Sequence, residues 1–79
     1  MDVRLLRFTY PPALINEPII YHLGTEFGLI TNIRRANVNK DRGWVILELQ
    51  GEAADVDRAV RWCQEKGLTV EPVEEDALE

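Results

Sequence analysis

The sequence predicts one small α+β domain, β-α-β-β-α-β in order, with a four-stranded antiparallel sheet and both helices on one face. Three observations predict it. Two segments carry apolar residues at helical spacing and end in glycine. Four short runs rich in β-branched and aromatic residues surround them. The two middle runs are separated only by a five-residue polar turn, Asn39-Lys40-Asp41-Arg42-Gly43.

Residues 3–10 form the first run, which stops at Pro11-Pro12 because proline lacks the N–H a ladder needs. Asn16-Glu17-Pro18 then reads as a helix start, with Asn16 as N-cap and proline tolerated in the first turn. Ile19, Ile20, Leu23 and Phe27 follow at helical spacing, and Gly28 is the expected stop. Residues 29–38 read as strand two, with imperfect alternation. Residues 44–50 are the clearest strand in the chain, and Gly51 ends it. A second helix is predicted over Ala53–Lys66, with Val56, Ala59, Val60 and Cys63 on one face and Gly67 after it. Residues 68–73 form the last strand. This is the ferredoxin-like arrangement, in which right-handed crossovers put strands one and three in the centre. One domain, 1–74, is expected, with a frayed acidic tail over 75–79.

Length and charge narrow the function. A chain of 79 residues buries about 60–65% of its unfolded surface, so covering apolar area by dimerisation is a natural supplement. The net charge of -5 is concentrated at the end, where Glu71, Glu74, Glu75, Asp76 and Glu79 fall without any lysine or arginine. Residues 1–70 balance nine acidic against nine basic side chains. A single cysteine permits no intrachain disulfide, and no apolar stretch approaches the roughly 20 residues of a bilayer span. A cytoplasmic protein without membrane insertion is expected.

Catalytic chemistry finds little footing. His22 is the one histidine and the chain contains no serine, so no nucleophile–base set can be assembled around it. Cys63 falls in register with the apolar face of the second helix and reads as a small core residue. One cysteine and one histidine make no zinc or iron–sulfur ligand set, and no glycine-rich phosphate loop is present. The reading is therefore a binding module, not an enzyme, with no cofactor and no metal.

The sheet itself offers a surface. On strand three, Val45, Leu47 and Leu49 point one way while Trp44, Ile46 and Glu48 point the other. Leu5 and Leu6 are adjacent on strand one and must also oppose each other. A central sheet apolar on both faces implies that the second face is covered, most economically by another copy. Trp44, Ile46 and Leu5 are the expected interface residues of a homodimer.

Strand two brings a specific likeness. The run Phe27-Gly28-Leu29-Ile30-Thr31-Asn32-Ile33-Arg34-Arg35-Ala36-Asn37-Val38, with Pro11-Pro12 and Glu17-Pro18-Ile19-Ile20 upstream, resembles the NIL domain. So do residues 43–51 and the later Trp62…Lys66-Gly67. The likeness covers about residues 3–73. It implies a ferredoxin-like domain of the kind found at the C-terminus of ATPase subunits of methionine-importing ABC transporters, before iron–sulfur ferredoxin domains, and alone. In the transporters such domains dimerise and bind methionine, which inhibits uptake. By that likeness Asn32 contacts the ligand, with Thr31, Ile33 and Arg34 as neighbours. An Asn amide donates to a carboxylate and accepts from an ammonium group, which suits an amino acid. Arg34 departs from the family triplet, which has Leu there. It can pair with a carboxylate or disrupt a thioether pocket.

The first functional expectation is a regulatory module sensing an amino acid, such as methionine, at a homodimer interface. The alternative is a docking module for a ferredoxin or transporter partner in trans, presenting Trp44, Ile46 and the Arg34/Arg35/Lys40/Arg42 cluster. RNA binding is the lesser reading. Arg42-Gly43-Trp44 resembles the start of an RNA-stacking strand, but Ile46 stands at the second stacking position. The balanced body also lacks the positive charge that attracts phosphates.

Overall fold

The computed structural model of the chain describes residues 1–75. Its elements are β1 (Asp2–Tyr10), a 3-10 turn (Pro12–Leu14), α1 (Ile19–Thr25), β2 (Ile30–Val38), β3 (Gly43–Gly51), α2 (Ala53–Lys66) and β4 (Thr69–Pro72). The strands form one antiparallel sheet in the order β2-β3-β1-β4, so β1 and β3 are central, as the right-handed crossovers require.

The start of α1 differs from the expectation. Asn16 does not cap it. Pro11-Pro12 instead opens the 3-10 turn, in which the Leu14 amide donates to the Pro11 carbonyl at 2.9 Å. The chain then enters the helix through Pro18, with no side-chain cap. Backbone groups serve instead: the Ile19 amide donates to the Glu17 carbonyl at 2.8 Å. The helix also ends before the expected glycine, at Thr25, where the Glu26 amide closes on the His22 carbonyl at 2.8 Å. Gly28, at φ 68°, turns the chain into β2. Phe27, freed from the helix, packs on Trp62 at a ring separation of 5.5 Å.

α2 matches its expected bounds. It ends in a Schellman motif: Gly67 adopts φ 118°, its amide donates to the Gln64 carbonyl, and the Leu68 amide donates to that of Cys63. The core lies between the sheet and the helices. Leu6, Phe8 and Tyr10 from β1 and Val45, Leu47 and Leu49 from β3 meet Ile19 and Leu23 of α1 and Val56, Ala59 and Cys63 of α2. Burial pushes the Cys63 thiol up to about 11 and the Tyr10 hydroxyl up to about 12, so both are neutral at physiological pH. At the margin of the core, Arg4 bridges Asp2 at 2.9 Å and Asp57 of α2 at 2.7 Å, which raises its pKa further. No helix of the described residues is long and apolar enough to cross a membrane.

Candidate functional site

β2 is an edge strand, and a bulge explains its imperfect alternation. Ile33 pairs with Leu47 and Arg35 with Ile46, which leaves Arg34 as an extra residue opposite no partner. The irregularity swaps the parity of the strand. Before it, Ile30 and Asn32 share the side of Gln50 and Glu48; after it, Arg35 and Asn37 share the side of Ile46 and Trp44. Thr31, Ile33, Ala36 and Val38 point toward the helix layer. The four residues expected at a ligand are thus divided. Asn32 and Arg34 belong to the face the helices leave open, and Thr31 and Ile33 to the opposite one.

Arg34 is drawn over the open face by its ion pairs. Its guanidinium donates to Glu48 Oε2 at 2.9 Å and lies 3.8 Å from Glu75 Oε1. Asn32 sits directly across the ladder from Glu48. Beside this polar trio, Val3, Leu5, Glu48, Val73 and Glu75 line a shallow recess of about 180 Å³. One cation, two carboxylates, an exposed amide and the apolar side chains of Val3, Leu5 and Val73 therefore converge at one end of the open face. Glu48 was missed in the sequence. The signal that could have found it is the register, which sets it opposite Asn32.

The expected interface residues all lie on this same face. Arg7 stacks over Trp44, with its guanidinium carbon 5.0 Å from the ring centroid. Leu5 and Trp44 are half-buried. Ile46 is different, at 3% exposure, although it stands outside the main core cluster. It shares a recess with Arg7, Pro72, Val73 and Glu74, so the chain leaving β4 supplies part of its cover. Of the tail expected to be frayed, only Glu75 is described; 76–79 lie outside the described residues.

A wider recess, about 240 Å³, lies elsewhere. It opens between the start of α1 and the far end of the hairpin and is lined by Tyr10, Ile15, Ile20, Val38 and Val45 among others. Its walls are mostly apolar and it lacks a paired cation and anion. Near it, Val38 is 54% exposed and Tyr21 66%. The basic cluster is split: Lys40 and Arg42 stay at the hairpin tip, where the Asn39 side chain accepts from two backbone amides, while Arg34 reaches back along the sheet. Among the described residues no group of three or more His, Cys, Asp and Glu side chains is placed to hold a metal ion.

The sequence model of the NIL domain matches residues 4–72, almost the whole fold. The chain belongs to the NIL domain family. A curated relative, the methionine import ATP-binding protein MetN of Ralstonia nicotianae, is 27% identical over 73 residues. That alignment takes in 87% of this chain but 21% of the relative, so this NIL domain spans about a fifth of that protein's length. A solved C-terminal domain of an ABC transporter ATP-binding protein from Enterococcus faecalis superposes with a TM-score of 0.77 at 18% identity. The superposition covers 91% of this chain and 84% of that one and shows the shared ferredoxin-like fold. The NIL domain here is thus related to components of ABC transporters.

Proposed function

We propose that this NIL domain is a regulatory module that binds a free amino acid on the open sheet face, at the interface of a homodimer. One observation carries the reading: Arg34 and Glu48 stand paired 2.9 Å apart beside Asn32, next to the recess that Val3, Leu5 and Val73 share with two glutamates. An amino acid presents the complementary set. Its carboxylate pairs with Arg34, its ammonium group with Glu48, and the Asn32 amide serves either. Val3 and Leu5 offer an apolar surface to its side chain, and Val3 is 58% exposed in the single chain. A second copy laid against this face supplies the missing wall and covers Trp44 and Leu5 together. The kinship with a methionine importer makes methionine the first ligand to try. The same kinship makes a transporter acting in trans the natural target of regulation.

Calorimetry with L-methionine, L-homocysteine and a panel of other amino acids tests the binding, and sedimentation over a range of concentrations tests the dimer. Saturable heat with at least one zwitterion, weakened about 10- to 100-fold by Arg34→Leu, is expected. Flat titrations across the panel overturn the ligand. A monomer at every concentration overturns the interface.

A second reading rests on the edge of β2. Ile30, Ile33 and Val38 are 54–59% exposed along a strand with one free edge, and Arg35 accompanies them. Such an edge accepts an added strand, so docking to a ferredoxin-type or transporter partner without a small ligand follows. The test is retention of a purified candidate partner by the wild type and its loss in Ile33→Lys.

A further inference from the structure

The chain does not leave the sheet at β4. Pro72 closes the ladder opposite Leu6, and the next amide, Val73, still donates to the Leu5 carbonyl at 3.0 Å. Beyond it the backbone turns onto the open face. Val73 and Glu74 line a recess with Arg7 and Ile46, and Val73 and Glu75 line another with Val3, Leu5 and Glu48. Glu75 then lies 3.8 Å from Arg34. β4 and β2 are opposite edges of the sheet, and the contact spans the face between them because residues 73–75 come in from β4 while the Arg34 side chain reaches inward to Glu48 on β3. Their effect shows at Ile46, which is 3% exposed on the side away from the helices.

We infer that residues 73–75 form an intramolecular strap over the open face, with the Glu75 carboxylate held where an incoming ligand carboxylate would pair with Arg34. This deepens the amino-acid reading above and rests on it for the ligand. The strap is weakly held by design of its chemistry: Glu75 is 78% exposed and its contact is longer than that of Glu48. An exposed pair of this kind contributes little, so a ligand carrying both a carboxylate and an apolar side chain can displace it. Arg34 remains paired in either state, and Val73 gives up its place on Leu5 to the ligand side chain. The domain therefore alternates between a self-occupied face and a ligand-occupied one, and apparent affinity is reduced by the fraction of time the strap is down.

The experiment uses the full chain and two readouts. In calorimetry with L-methionine, Glu75→Gln should bind about two- to fivefold tighter than the wild type, the range expected for loss of an exposed competing pair. Equal affinities in two chains that both bind overturn the competition. In methyl NMR without ligand, ending the chain at Pro72 should shift the Ile46 and Leu5 resonances while leaving those of Leu47 and Val56 in place. Superimposable Ile46 and Leu5 signals overturn the strap. If neither chain binds any amino acid, the ligand reading fails by itself, and the methyl shifts decide the strap alone.

Discussion

Ile46 and Leu47 are adjacent, both buried, and on opposite faces of the same strand, at 3% and 0% exposure. Truncating each to alanine therefore compares the two sides of the sheet at constant chain position. Ile→Ala removes three carbons, or about 2–2.5 kcal/mol at roughly 0.8 kcal/mol per buried methylene. Around Ile46 the cover is an arginine, the end of β4 and a recess open to solvent, so water and side chains can fill the space left behind. Little is then added for a cavity, and a loss of about 2 kcal/mol is expected. Leu47 is enclosed by the main core, where walls from both helices and the strands cannot close in. The same count of carbons plus the cavity puts Leu47→Ala at about 3–4 kcal/mol. Urea denaturation followed by far-UV circular dichroism measures both, at several protein concentrations. A cost below about 0.5 kcal/mol for Ile46→Ala would refute the reasoning, because the open face would then be bare in solution. A cost matching Leu47→Ala only at high concentration would instead reveal a second copy sealing that face.

Further outcomes follow from single positions. Gly67→Ala should destabilise the domain by about 1–2 kcal/mol, seen as a fall in thermal midpoint of several degrees, because φ 118° excludes a Cβ without strain. Raising the pH above about 9 should weaken the fold. The ordinary values of Cys63 and Tyr10, 9.0 and 10.0, are raised on folding to about 11 and about 12, so the stability they contribute is whole below the unfolded values and lost as pH climbs through the folded ones. Cys63→Ala should flatten the earlier part of that decline in denaturant titrations between pH 8 and 11. Arg34→Leu should reduce amino-acid affinity about 10- to 100-fold in calorimetry, the worth of a charge-assisted hydrogen bond, while moving the thermal midpoint little.

The elements were largely legible because each carries its own local cause. α2 could be bounded to the residue, since an amphipathic stripe from Val56 to Cys63 ends at a glycine that the backbone places at positive φ. α1 was misjudged at both ends for a physical reason. Its start is fixed by a diproline turn and backbone hydrogen bonds, which leave no side-chain signature at Asn16. The two-sidedness of β3 was readable from period two, and Trp44 and Ile46 indeed face away from the helices. What covers Ile46 was not. Val73 read as the end of the last strand and Glu74-Glu75 as acidic and terminal, and only the tertiary fold brings them over the sheet. Asn32 and Arg34 could be singled out by likeness to the family, but their sharing of a face with Glu48 depends on pairing between strands.

The bulge joins these threads. Were Arg34 paired in register instead of bulged, β2 would keep one parity throughout. Asn32 and Arg34 would still share a face, but Ala36 and Val38 would then point away from the helices and Asn37 toward them. Val38 would then leave the recess it lines with Ile15, Ile20 and Val45, and the Asn37 amide would take that side of the strand. Bulging Arg34 out of register lets the first half of β2 direct Asn32 to the open face while the second half returns Ala36 and Val38 to the helix side. The cost is one unpaired residue, and the edge is where such a residue disturbs the ladder least. Arginine suits that position because its long side chain can leave the strand and find Glu48 at 2.9 Å, beside the recess where Glu75 also arrives. The irregularity that made strand two hard to read is thus the feature that sets a cation among the anions and apolar residues of the open face.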